Sequence, residues 1–212
     1  FTITGNTIES DTDNLAGTIE RGDKAEGIKF TINEGVQNGT TNLTAVIENN
    51  DIQTRIGDGS EFAVNELAAD GVVFDANITI NNNRIVQTND NPVGSENKDP
   101  RDLIKATFGE DGEGSITTGT FTITNNTVTS AAGAGDAFNY ESLSTSTSNI
   151  FKFKLEGNNF TAADDKDLKI IVPTGYLSIS APDGTTNFDA YLDSINTDAE
   201  TEISGSPEVF RF

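Results

Sequence analysis

The chain has 212 residues and a formal charge of −21, from 34 acidic and 13 basic side chains, with no His, Cys, Met or Trp. That charge excludes binding by phosphate neutralisation, so nucleic acid is not a partner, and anionic membrane surfaces repel the chain as well. Without His or Cys there is no usual general base near neutral pH, no Ser-His-acid triad, no disulfide and no thiolate metal site.

In chain order, the phrase ITGNTI at residues 3–8 comes first. It returns as IENNDI at 47–52, INNNRI at 80–85, ITNNTV at 123–128 and LEGNNF at 155–160. The copies align on Asn6, Asn50, Asn83, Asn126 and Asn158, which are 44, 33, 43 and 32 residues apart. Ile3, Ile47, Ile80, Ile123 and Leu155 then make one apolar column, and Ile8, Ile52, Ile85, Val128 and Phe160 a second. Phe1, Ala45, Ile78, Phe121 and Phe153 make a third. Before each shared asparagine stands Gly5, Asn49, Asn82, Asn125 or Gly157. Gly and Asn take positive φ most easily, so each copy is predicted as strand, one left-handed residue, asparagine, strand.

A further strand is expected at 28–32, 62–64, 103–108 and 138–140, where apolar residues alternate, as in Phe30 and Ile32 or Ile104, Ala106 and Phe108. Between the constant parts lie inserts at 11–26, 57–61, 88–102, 130–137 and 162–167, rich in Gly, Asp, Asn and Ser and predicted as surface loops. Residues 168–172 and 176–180 begin a sixth repeat. Its bend is placed at Pro182, Asp183 and Gly184 without a ladder asparagine, and Asn187 and Phe188 are expected to restart the third strand. Residues 176–212 therefore form an atypical terminal coil or cap, and 208–212 alternate like an edge strand.

Three strands per repeat predict an all-β, single-domain solenoid over residues 1–212, a parallel β-helix of about six coils whose stacked repeats share a core that none builds alone. Stacked asparagines would bond along the axis as amide ladders do. A sandwich or barrel of hairpins is the competing fold, but hairpins do not require one residue type at the same bend of every repeat. Phe1 already occupies a coil strand, so another coil is expected to precede it in a longer secreted protein or a neighbouring subunit.

Carboxylates on flexible loops suit calcium, and the candidate ligands are Asp11 and Asp13, and Asp164, Asp165 and Asp167. None completes an EF-hand loop: from Asp11 the sixth position is Ala16 and the twelfth Gly22, where Gly and Glu are required. The Gly-rich stretch 131–136 lacks the Lys of a phosphate-binding loop. The sequons at Asn38, Asn42, Asn77, Asn125 and Asn159 are accounted for by the abundance of Asn and Thr.

The columns and bends resemble the right-handed parallel β-helix repeats of bacterial surface proteins, including adhesins and autotransporter passenger domains, over roughly residues 1–190. The resemblance implies a non-catalytic structural or adhesive segment, extracellular at a bacterial cell surface. Such a segment presents loops to a host or cell-surface protein or glycan, or stacks into a homo-oligomer, surface layer or filament. The same scaffold carries polysaccharide hydrolases and lyases, so a carbohydrate-active enzyme or binding module using paired carboxylates is the alternative.

Overall fold

A computed structural model of the chain describes residues 1–10, 27–33, 40–54, 60–65, 73–87, 102–108, 116–130, 136–142, 146–161, 167–197 and 199–210. The chain opens with β1 (Thr2–Thr4) and β2 (Thr7–Ser10). Four triplets of strands follow. They are β3 (Ile28–Asn33), β4 (Thr40–Glu48) and β5 (Asp51–Thr54); β6 (Ser60–Asn65), β7 (Val73–Asn81) and β8 (Arg84–Gln87); β9 (Ile104–Phe108), β10 (Ile116–Thr124) and β11 (Thr127–Ser130); and β12 (Phe138–Ser142), β13 (Ile150–Glu156) and β14 (Asn159–Thr161). The end of the chain comprises β15 (Leu168–Ile171), β16 (Tyr176–Ser180), the helix α1 (Phe188–Ile195), β17 (Thr201–Ser204) and β18 (Pro207–Phe210).

Every triplet contributes one strand to each of three parallel sheets. The first sheet runs β1-β4-β7-β10-β13-β16-β18, the second β2-β5-β8-β11-β14 and the third β3-β6-β9-β12-β15-β17. All strand pairs among the described residues are parallel, which removes the hairpin alternative. The register reproduces the sequence columns. Ile3 pairs with Ile47, Ile47 with Ile80, Ile80 with Ile123 and Ile123 with Leu155. In the second sheet Ile8, Ile52, Ile85, Val128 and Phe160 pair in succession. Strand alternation sends these side chains inward, where Ile47, Ile52, Ile85, Val128 and Phe160 lose contact with solvent.

The core is aromatic toward the C-terminal half. Phe121 stacks on Phe153 with centroids 4.9 Å apart, and Tyr140 meets both rings edge-on at 4.9 and 4.8 Å. Gly119 lies between Ala76 and Phe151 in the first sheet, and a Cβ there would overlap the Phe121 ring, so this position admits glycine alone without repacking.

Two expectations need correction. The chain is not entirely β, because residues 188–195 form a helix where the third strand of the sixth repeat was anticipated. The inserts do not reach the surface throughout. Asp136, Ala137 and Asp167, taken as loop ends, are buried, because their backbones already bond from repeat to repeat: Leu103 N–H donates to Asp136 O and Phe138 N–H to Asp167 O.

Candidate functional site

The bends between the first and second sheets carry the most regular side-chain chemistry. The left-handed residue appears at every predicted bend: Gly5 (φ +67°), Asn49 (+58°), Asn82 (+53°), Asn125 (+57°) and Gly157 (+68°). It turns the chain so that the following asparagine points inward. The backbone N–H and the Nδ2–H of Asn6 both donate to Asn50 Oδ1, at 3.0 and 3.1 Å. Asn50 does the same to Asn83 Oδ1 (2.9 and 3.0 Å), Asn83 to Asn126 (2.9 and 3.0 Å) and Asn126 to Asn158 (3.0 and 3.0 Å). The other Nδ2 hydrogen reaches back to a carbonyl of the preceding repeat: Asn50 to Ile3, Asn83 to Ile47, Asn126 to Ile80 and Asn158 to Ile123. A side-chain amide has two donors and two acceptor lone pairs, and every one is used here. Asn50, Asn83, Asn126 and Asn158 can therefore lie at 2% exposure or less without an unpaired polar group.

The ladder extends one step beyond the sequence reading. Asn158 N–H and Nδ2–H donate to Asn196 Oδ1 at 3.0 and 2.9 Å, so a sixth asparagine occupies the corner and the bend is not at 182–184. It lies 38 residues past Asn158, inside the range of the earlier spacings, which is the signal that identifies it in the sequence. The residue before it is Ile195, the end of α1, and not Gly or Asn, so the bend signature is missing. Asn196 also closes the helix. Its N–H and Nδ2–H both go to Leu192 O, at 3.0 and 2.9 Å, in place of the next asparagine's Oδ1. The ladder's donor end is thus spent on the helix C-terminus, while Asn6 at its acceptor end is exposed.

A second corner, ahead of the third-sheet strands, is acidic. Asp102 Oδ1 accepts from Asp136 N–H (3.0 Å) and its Oδ2 from Asn139 Nδ2 (2.9 Å). Asp167 Oδ2 accepts from Glu200 N–H at 2.9 Å, and Lys169 Nζ lies 3.8 Å from Asp136 Oδ2. Asp167, expected as a calcium ligand with Asp164 and Asp165, is here buried and holding a neighbouring repeat in register. Asp11, Asp13, Asp164 and Asp165 lie outside the described residues. Among the described residues no three His, Cys, Asp or Glu side chains gather as a metal-holding group.

The outer face of the first sheet is largely polar. Thr44, Asn77, Thr120, Lys152, Ser178 and Glu208 form one column across it. Lys152 and Lys154 alternate on β13, as the sequence indicated. No helix among the described residues is long and apolar enough to cross a membrane. Comparison with known proteins identifies no relative: no family model matches the chain, and no curated protein and no solved structure matches it.

Proposed function

We propose that the chain is a non-catalytic structural segment of an extracellular protein at a bacterial cell surface. Its three sheets wind as a right-handed parallel β-helix of about six coils, the hand that crossover connections between parallel strands take. The segment acts as a stiff support that presents its loops and the outer face of its first sheet to a partner. The observation that carries this reading is the asparagine ladder, in which Asn50, Asn83, Asn126 and Asn158 spend their side-chain donors and acceptors on holding neighbouring repeats together. Such a frame supports presentation better than chemistry, which needs polar groups held in reserve for a substrate. The chain also has no His to supply the usual general base.

Two measurements test the proposal. Antibody against the protein should label intact producing cells, and labelling that needs permeabilised cells would place the protein inside and remove the surface reading. Incubation with neutral and acidic polysaccharides should release no reducing or unsaturated ends; sustained release would favour the carbohydrate-active alternative.

A further inference from the structure

Among the described large apolar side chains only three are exposed, and two of them are register partners on the outer face of the first sheet: Ile150 at 38% and Tyr176 at 62%. The strand that carries Ile150 also carries Lys152 and Lys154 on the same face, because outward positions recur every second residue. The environment of Lys152 differs from that of the lysines on the third sheet. There, Lys105 pairs in register with Glu61, and Lys169 pairs with Glu202 and lies 3.8 Å from Asp136. Lys152, by contrast, pairs in register with Thr120 on one side and Ser178 on the other, and its Nζ stands 5.9 Å from the Phe210 ring centroid. Lys154 pairs with Thr122, and its Nζ is 3.5 Å from Glu156 on its own strand. In a chain of charge −21, Lys152 is an outward cation flanked in register by two hydroxyl side chains and beside a half-buried aromatic ring.

We propose that this face, formed by Ile150, Lys152, Lys154 and Tyr176, binds an anionic polysaccharide rich in uronate units. The inference rests on the presentation reading above and names the partner that the face would take. The tyrosine ring and Ile150 give a flat apolar platform for the C–H face of a pyranose ring. The two lysine side chains leave the strand two residues apart, roughly 6.6 Å along the backbone, which suits a polymer of repeating carboxylates better than a single ion. A peptide would seek unpaired backbone groups at a sheet edge, and β13 has none to offer, being paired to β10 on one side and β16 on the other.

Affinity electrophoresis in native gels tests this, with polygalacturonate, its methyl-esterified form or dextran cast into the matrix. Polygalacturonate should retard the protein, the more so at low salt, and the esterified form and dextran should not. The double variant Lys152→Gln with Lys154→Gln should weaken retardation by about tenfold in apparent Kd, the scale of two exposed charge contacts. Tyr176→Ala should weaken it as well, and Lys105→Gln should leave it unchanged, each variant being checked for an unaltered melting temperature. The proposal is overturned by absence of retardation, by equal retardation in the esterified polymer, by an equal loss in Lys105→Gln, or by equal retardation in polyglutamate. Any of these leaves the cell-labelling and glycan-release results standing, and failure of cell labelling leaves the binding result standing.

Discussion

A single asparagine in this chain does the work of four hydrogen-bonding groups. Asn126 receives the N–H and Nδ2–H of Asn83 and donates to Ile80 O and Asn158 Oδ1, all inside the fold. Asn126→Ala would strand the two Asn83 donors away from water, and a buried unsatisfied group costs about 1–3 kcal/mol. The variant should lose roughly 3–5 kcal/mol in chemical denaturation and melt some 10 °C lower. Asn6→Ala, at the exposed end of the same ladder, should cost under about 1 kcal/mol because water replaces the lost partners. Equal losses in the two variants would show that burial of the amide is not what stabilises the corner. The left-handed residue before each asparagine is tied to the same corner by backbone: Asn49, Asn82 and Asn125 donate their N–H groups to Asn81, Thr124 and Glu156 carbonyls of the next repeat. The sequence reading at this scale was complete for five bends, since Gly or Asn followed by Asn is a two-residue pattern dictated by local sterics.

The helix α1 is where element-level reading diverged. Its signals are present: Asn187 caps the N-terminus by accepting from Ala190 N–H at 3.1 Å, and Phe188, Tyr191, Leu192 and Ile195 recur at the spacing of one helical face. Eight residues make a marginal helix alone, so its formation depends on burying Phe188 and Leu192 against the solenoid. Packing also brings acids together. Burial raises the carboxyl pKa of Asp189, and the nearby charges of Asp193 and Glu202 raise it further. A pKa raised on folding means that the native state holds the proton more tightly. The stability so gained is fully present below the unfolded pKa and is lost as pH rises through the folded value. Melting temperatures compared between neutral pH and about pH 4 should therefore show an Asp189 contribution favouring the acid side. Asp189→Asn should narrow that difference, and an unchanged difference would mean that folding does not raise the Asp189 pKa.

At the scale of the molecule, stability comes from neighbour-to-neighbour stacking along one axis, so contacts are long in sequence but short in space. Charge works against that stacking. With 34 acids and 13 bases on one chain, the net negative charge makes self-repulsion oppose compaction. Some of it is relieved by pairs between layers, such as Arg84 Nη1 with Asp51 Oδ1 at 2.6 Å and Lys169 with Asp136. Raising ionic strength from about 0.01 to 0.15 M shortens the Debye length from about 30 to 8 Å, comparable with two strand spacings. The melting temperature should rise by several degrees over that range, and a fall would show that the interlayer ion pairs outweigh the repulsion.

The sequence by itself determined the three strands of the four complete repeats, their parallel stacking and five of the six ladder positions. Each of these depends on a few adjacent residues, and the repetition makes the signal visible. Only the tertiary structure decided that Asn196 ends the ladder, that Asp136 and Asp167 serve the second corner, and that Ile150 and Tyr176 share an outer face with Lys152 and Lys154. These facts depend on which strand lies above which. The inserts vary in length from repeat to repeat, so the register between layers is set by packing of the buried columns and not by distance along the chain.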